Sequence, residues 1–204
     1  MSELASRLLE LRDDPPRAGQ QAALCRAANG HVEISEASPC EPGPLSLIER
    51  GAERIASDHW PDACELCDGD LVTVQVPASR AESFCEYLST LARDLALDGD
   101  DAKRFVFAPW CAEPQGIHRL WTVAAARIAL PRSVVIGARH DLLGIRVAQV
   151  ALGFGASALV GPIQPDRSLP LAGVTRPTEN TRAGLRALVE QVGLRVQTPT
   201  TPAN

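Results

Sequence analysis

The sequence lacks any uninterrupted apolar segment close to the ~20 residues that a bilayer-spanning helix requires. Its first residues, MSELASRLLELRDD, carry acidic side chains where a secretory signal peptide has a basic region. Both patterns that direct a chain into or across a membrane are therefore missing from the sequence. We expect a soluble, cytoplasmic protein with no membrane partner.

A basic stripe is also missing. The formal net charge is −5, and acidic residues are interspersed among basic ones along the whole chain. Binding to a phosphate backbone requires clustered lysine and arginine side chains. We therefore expect no nucleic-acid partner.

Short motifs of several enzyme classes are absent: there is no GxSxG, no P-loop and no HExxH. One glycine pair, in Gly153-Phe154-Gly155, precedes a predicted strand. A dinucleotide phosphate loop must instead follow a strand and open a helix, so that backbone N–H groups face the anion. We interpret this pair as the end of a helix.

The six cysteines are too few and too scattered for a disulfide framework in a chain of 204 residues. Cys64 and Cys67 form a CxxC pair, which can supply half of a zinc site, whereas a structural zinc site has four ligands. No second CxxC or histidine-rich partner follows. The alternative is a pair of loop thiols, and we predict free cysteines and no resident metal.

Residues 133–163 are the segment whose fold can be predicted best. Two β-branched or apolar runs, at 134–136 and 158–160, flank a helical pattern and a glycine-bounded turn. Two strands joined through a helix normally run parallel in one sheet with a right-handed crossover. This segment predicts a β-α-β unit.

The same alternation extends along the chain. Strands are predicted at 71–76, 105–108, 134–136 and 158–160, with a weaker one at 31–35. Helices are predicted at 3–29 (two, separated by Pro15 and Pro16), 45–57, 79–96, 117–130 and 179–192. Alternation of this kind predicts a parallel sheet with helices on its outside.

The chain is shorter than the ~250 residues of a typical closed eight-stranded barrel. The predicted fold is therefore α/β, with a parallel sheet of four to five strands in a partial TIM-type barrel and additional N-terminal helices. We predict three parts: a helical N-terminal extension with one weak strand (1–69), a half-barrel α/β domain (70–197) and a disordered tail (198–204).

From residue 71 onward the sequence resembles the C-terminal half of a group of radical S-adenosylmethionine enzymes, namely dehypoxanthine futalosine cyclase, aminofutalosine synthase and the deazaflavin-precursor synthases. The likeness is carried by FVFAPW (105–110), HRLWTVAAARIAL (118–130), VVIGARHDLLG (134–144), AQVALGFGASALVGP (148–162), the pair Ala172-Gly173 and RAGLRALVEQVGLRVQ (182–197). The order and spacing of these segments agree with the family. The resemblance implies a barrel-type α/β fold and a link to menaquinone (futalosine) or deazaflavin-type biosynthesis.

Departures from the family concern its chemistry. The family's CxxxCxxC motif, which holds a [4Fe-4S] cluster, is absent. Arg139-His140 replaces the family's serine-tryptophan, and Ser157-Ala158 replaces its asparagine-aspartate. We therefore expect a shortened relative without its own cofactor, in which S-adenosylmethionine and a cluster are present only if a partner supplies them.

Five residues are candidates for ligand binding. Arg139, His140 and Asp141 follow the strand at 134–136, at the edge where such sheets place their binding loops. They can orient an anionic ligand or transfer a proton; the alternative is a solvated loop with an arginine–aspartate pair of little energetic weight. Trp110 and His118 lie at the mouth of the preceding strand, where Trp110 is either a packing residue or a stacking surface for a ligand.

Three functional hypotheses follow. The first is a degenerate, non-catalytic or partner-dependent subunit (a pseudoenzyme), because a partial barrel leaves strand edges that a second copy or a larger radical S-adenosylmethionine subunit would cover. The second is a stand-alone enzyme or binding protein for a small anionic ligand at the carboxyl ends of the strands. The third is full radical chemistry with Cys40, Cys64 and Cys67 as cluster ligands.

Overall fold

The computed structural model describes residues 1–26, 31–41, 43–97, 103–165 and 179–197. Within them, eight strands form one sheet in the order β3-β2-β4-β5-β6-β7-β1-β8. The strands are β1 (His31–Glu36), β2 (Ser46–Arg50), β3 (Glu53–Ser57), β4 (Leu71–Gln75), β5 (Val106–Trp110), β6 (Val135–Arg139), β7 (Ala158–Gly161) and β8 (Arg195–Val196). The α-helices are α1 (Glu3–Glu10), α2 (Pro15–Cys25), α3 (Ala81–Leu97), α4 (Gly116–Ala129), α5 (His140–Leu143), α6 (Ile145–Ala151) and α7 (Arg182–Gln191).

Most of the sheet is parallel. β4, β5, β6, β7, β1 and β8 pair with their neighbours in parallel, and only β2 runs antiparallel, to β3 on one side and β4 on the other. α3 connects β4 to β5, α4 connects β5 to β6, and α5 and α6 connect β6 to β7. The predicted α/β class with N-terminal helices is confirmed.

The predicted helix at 45–57 is wrong. These residues form the antiparallel pair β2–β3, and Gly51 turns the chain with a φ of 60°. The apolar spacing of Leu45, Ile48 and Ile55 fits a helix, but residues 46–49 pair with β4, and this long-range pairing overrides the local pattern. With β8 as well, the sheet has eight strands within the described residues, rather than four to five.

The other predicted strands are confirmed, including the weak one, which is β1. It lies inside the sheet between β7 and β8. Strands from residues 1–69 therefore share one sheet with strands from residues 70–197. The predicted tail, 198–204, lies outside the described residues.

The N-terminal helices cover the helices that connect the parallel strands. α1 packs on α3 and α2 packs on α4. Trp121 of α4 is buried and donates its indole N–H to the carbonyl of Leu8 at 2.9 Å, so the first helix is fixed by a hydrogen bond as well as by apolar contact.

Gly155 ends the short helical turn before β7 with a left-handed φ of 92°, as the helix-end interpretation of the glycine pair predicts. Among the helices in the described ranges, none has the length and apolar content needed to cross a membrane.

Candidate functional site

Arg139, the last residue of β6, is the most highly connected side chain at the carboxyl edge of the sheet. Its Nε and Nη2 donate to the two oxygens of Asp141 at 3.1 and 2.9 Å, and Nη2 also donates to the carbonyl of Ser38 at 2.6 Å. Its Nη1 donates to Glu49 Oε1 at 2.8 Å and to Thr73 Oγ1 at 3.1 Å. A guanidinium has five N–H groups, and all of them are used by these contacts.

These contacts favour a structural role for Arg139. The side chain is 1% exposed. Burial by itself lowers the pKa of Arg139, but the hydrogen bonds to Asp141 and Glu49 outweigh it and raise the pKa above its usual value. The side chain therefore stays charged, with no N–H left to hold a ligand.

The contacts of Arg139 also show that the sheet is curled. Glu49 belongs to β2 and Ser38 follows β1, and these two strands are five strand spacings apart in the sheet order. In a flat sheet, five spacings would separate them by about 24 Å. Because both residues reach the same guanidinium, the sheet must curve around Arg139, as the wall of a partial barrel does.

His140 is buried beside the end of β7. A Cβ placed on Gly161 would lie 2.8 Å from His140 Nε2, and Gly161 has a φ of 144°. The Nε2 atom is buried without a hydrogen-bond partner, and burial lowers the pKa of the ring. His140 is therefore a neutral ring packed on the backbone of Gly161.

Asp141 links the edge of β6 to the segment after β1. Besides binding Arg139, its Oδ2 accepts the backbone N–H of Cys40 at 3.2 Å. Burial raises the pKa of the Cys40 thiol, although the charge of Arg139 acts in the opposite direction. Cys40 thus lies at the carboxyl edge of the sheet as a protonated thiol.

Of the two alternatives for Trp110, the contacts favour packing. Trp110 ends β5 and is buried in the main hydrophobic core. The next residue, Cys111, donates its thiol hydrogen to Glu113 Oε2 at 2.6 Å. Burial, and then this hydrogen bond, raise the pKa of Cys111 to about 12, so the thiol is not a nucleophile at neutral pH.

His118 is the predicted site residue that lines a described cavity. The cavity has a volume of about 360 Å³ and lies between the 3₁₀ turn Leu11–Asp13 and the start of α4. Its lining residues are Arg12, Asp13, Gln115, Gly116, Ile117 and His118.

The start of α4 leaves its first N–H groups without side-chain caps. Gln115 occupies the capping position and makes no side-chain cap hydrogen bond. The N–H groups of residues 116–118 have no acceptor within the helix, because the first turn of an α-helix offers none. They and the positive end of the helix dipole adjoin the cavity.

The imidazole of His118 is held in one tautomer. Its Nε2 lies 3.2 Å from the carbonyl of Val76, and a carbonyl only accepts, so Nε2 carries the hydrogen. Nδ1 is consequently an acceptor, and it is buried with no partner. Burial lowers the pKa of His118, and the nearby charge of Arg12 lowers it further, so the ring is neutral.

Arg12 supplies the positive charge of the cavity. Its guanidinium lies 5.9 Å from the ring centroid of Trp121 and donates to the carbonyl of Ala78 at 3.3 Å. Among the described residues it has no carboxylate partner. Sequence reasoning missed Arg12, because it is more than 100 positions from His118 and no local motif joins them.

The cysteines do not fit a cluster held by this chain alone. Cys40 lies at the carboxyl edge, whereas the backbone N–H of Cys67 donates to Asp70 Oδ2 at 2.8 Å, just before β4 begins. The five residues of β4 span about 16 Å between the two edges. The hypothesis that Cys40, Cys64 and Cys67 ligate one cluster is therefore wrong, because the described residues contain no group of three suitable metal ligands.

Fold and site together define an α/β protein with a curled, mostly parallel sheet and, at its carboxyl edge, a small cavity lined by Arg12, His118 and the start of α4. A scan against protein-family models finds no match to this chain, and a search of curated proteins finds none either. The resemblance to the radical S-adenosylmethionine enzymes therefore stays a prediction from the sequence.

Proposed function

We propose that the protein binds a small anionic ligand in the cavity at the start of α4. The observation that carries this proposal is that Arg12, His118 and the uncapped start of α4 line one space. This is the second of the hypotheses that the sequence supports, with the ligand placed beside His118.

The chemistry of the cavity favours an anion. The free N–H groups at the start of a helix point along the helix axis and carry partial positive charge, which makes them a common binding site for phosphate, sulfate and carboxylate groups. The guanidinium of Arg12 adds a full positive charge, and among the described residues it forms no ion pair with a carboxylate.

An acceptor at the rim narrows the ligand class. The exposed carboxylate of Asp13 can accept a hydrogen from the ligand. A ligand that combines an anionic group with a hydroxyl or an acidic hydrogen satisfies both kinds of partner. We therefore propose a phosphate monoester or a small hydroxy acid, and a volume of about 360 Å³ suits a molecule of that size.

Calorimetric titration with inorganic phosphate, glycerol phosphate and lactate tests this proposal. Arg12→Gln should weaken binding by about tenfold or more, because a hydrogen bond to a charged group contributes about 1.5–3 kcal/mol. Arg93→Gln is the matched control: it removes the same charge from an exposed site on α3 and should leave binding unchanged. Absence of binding by the unmodified protein at millimolar ligand, or equal effects of both substitutions, would refute the proposal.

A second candidate is the cytoplasmic, partner-dependent subunit that the resemblance implies. Two observations favour it. First, the concave face around Arg139 is occupied by the chain's own groups. Second, β3 pairs only with β2 among the described strands, so its other edge is unpaired, and Ile55 on this strand is partly exposed. A second copy or a larger radical S-adenosylmethionine subunit can cover that edge. Size-exclusion chromatography with light scattering, and a pull-down with a futalosine-type or deazaflavin-type enzyme, test this candidate; a monomer that captures neither would refute it.

A further inference from the structure

A second and larger cavity, of about 720 Å³, opens at the other edge of the sheet. Its walls come from segments that lead into parallel strands: the end of α2 before β1, the loop between α4 and β6, the turn before β7 and the end of α7 before β8. The lining residues are Ala23, Leu24, Arg26, Arg132, Gln149, Val150, Leu152, Gly153, Val192 and Leu194. This amino-edge cavity is separate from the cavity at the start of α4.

The lining of the amino-edge cavity is mainly apolar and partly exposed. Leu24 of α2, Val150 of α6 and Val192 at the end of α7 are 80%, 49% and 43% exposed. Three large apolar side chains from three helices thus meet at one opening instead of packing into the core. Contiguous exposed apolar surface of this kind is typical of a binding surface.

The polar part of the lining is cationic. Arg26 and Arg132 line the cavity, and no acidic residue is among its lining residues in the described part of the chain. Neither arginine makes an ion pair or a side-chain hydrogen bond within that part. The Nε of Arg26 is buried and has no acceptor. A buried N–H of a charged group without a partner carries a desolvation penalty that an anionic ligand would offset.

A third arginine strengthens the positive field. Arg127 is buried at this edge, with its Cγ against Gly155, and its Nε also has no partner. Its Nη groups are held by the carbonyls of Leu130, Pro131 and Val134. Those carbonyls are neutral, so the positive charge behind the cavity is not cancelled.

We propose that the amino-edge cavity binds a small amphipathic anion. Its acidic head would contact Arg26 and Arg132, and its apolar body would lie between Leu24, Val150 and Val192. The volume lies within the usual range for small-molecule sites. This site is independent of the proposed function, because the two cavities share no residue.

A second copy of this chain is a poorer occupant. In a two-fold interface the same patch meets itself, so Arg26 and Arg132 of one copy would approach the same arginines of the other. Like charges across an interface oppose association. A small acid instead neutralises them.

Decanoate and decanol are the probes, because they share an apolar chain and differ in the charge of the head. We expect the full-length protein to bind decanoate, measured by calorimetry, at least tenfold more tightly than decanol. Arg132→Gln, an exposed substitution that does not disturb the core, should weaken decanoate binding at least fivefold and leave decanol binding unchanged. Arg26→Gln should do the same, and circular dichroism would verify that each variant is folded.

Arg93→Gln and Arg12→Gln are the controls, and both should bind decanoate as the unmodified protein does. The proposal is overturned if decanoate does not bind at 1 mM, the highest concentration in the titration. It is equally overturned if decanol binds as tightly as decanoate. It is also overturned if light scattering shows a dimer that Val150→Glu dissociates. The same holds if the protein binds vesicles of anionic lipid but does not bind decanoate. Decanoate binding that stays intact in Arg12→Gln, whether or not phosphate binds to the unmodified protein, would support this site independently of the first one.

Discussion

Arg139 and Glu49 form a buried ion pair, with Nη1 and Oε1 2.8 Å apart, that joins β6 to β2 across the concave face of the sheet. Between these two strands lie β4 and β5. The ion pair therefore stabilises the curvature of the sheet, in addition to the backbone hydrogen bonds that join neighbouring strands.

Arg139→Met should destabilise the fold strongly. The substitution keeps most of the side-chain volume but leaves the carboxylates of Glu49 and Asp141 facing each other without the cation between them. Breaking a buried ion pair by removing one partner typically costs about 3–5 kcal/mol. The free energy of unfolding in urea measures the effect; Arg93→Met, at an exposed ion pair, should change it little, and a comparable loss in both variants would contradict the structural role of Arg139.

Gly161→Ala should destabilise the protein as well. The added Cβ would lie 2.8 Å from His140 Nε2, and a φ of 144° is unfavourable for alanine. We expect a loss of about 1–3 kcal/mol in the free energy of unfolding. Gly153→Ala is the control, because a Cβ there meets nothing within 4 Å and the residue needs no positive φ. If combining Gly161→Ala with His140→Ala recovers none of the loss, the contact with His140 does not explain it.

Asp70 should make the stability depend on acidic pH. Burial alone would raise the pKa of this carboxyl, but the paired hydrogen bonds from Arg50 and the N–H of Cys67 outweigh it and hold the pKa below its ordinary value. A depressed folded-state pKa contributes stability above the unfolded-state pKa of about 3.9, and this contribution is lost as the pH falls through the folded-state value.

Asp70→Asn should therefore lower the urea midpoint at pH 7, and its curve should approach that of the unmodified protein as the pH falls below about 4. Asp94→Asn, at a half-exposed ion pair, is the control and should leave the pH profile unchanged. Parallel curves for Asp70→Asn and the unmodified protein down to the acid limit would contradict the prediction.

Lactate should bind more tightly at pH 6 than at pH 8, if the proposed site at the start of α4 is correct. Burial and Arg12 lower the pKa of His118 in the free protein, and a bound anion would raise it, so binding would take up a proton. Lactate keeps one charge over this range, as ordinary carboxylates do. The hydrogen bond from Cys111 holds the pKa of Glu113 below its ordinary value, so the charge of Glu113 beside His118 also stays constant.

His118→Gln keeps a hydrogen-bond donor for Val76 and should remove the pH dependence while the protein stays folded. Calorimetry at three pH values, in two buffers of different ionisation enthalpy, would detect the proton uptake. An unchanged pH profile in His118→Gln would show that another group is responsible.

Several elements followed from local patterns. The apolar runs of β4, β6 and β7 and the helical spacing of α3 and α4 predict their structures directly, because their buried faces show in the order of residues. β2 and β3 were missed because Ile48 and Ile55 fit a helical spacing equally well, and only pairing with β4 selects the strands.

The candidate site was less accessible to sequence reasoning. His118 was predicted, and it lines the cavity at the start of α4, but Arg12 comes from the turn between α1 and α2. No local pattern signals that contact. Likewise, Arg139 was interpreted as a ligand-binding residue because it lies at a strand end. The sequence does not show which side chains from other strands contact it.

The sequence by itself determined the α/β class, the alternation of strands and helices from residue 71 onward and the edge of the sheet where polar side chains gather, because hydrophobic periodicity and strand polarity are local properties. Only the tertiary structure decided which groups bind Arg139: all its N–H groups donate hydrogen bonds to Glu49, Thr73, Asp141 and Ser38. It also decided that Arg12, rather than Arg139, lines an open cavity. The physical reason is that a side chain's role depends on which distant groups satisfy its charge and hydrogen bonds, and those groups are brought together only when the sheet curls.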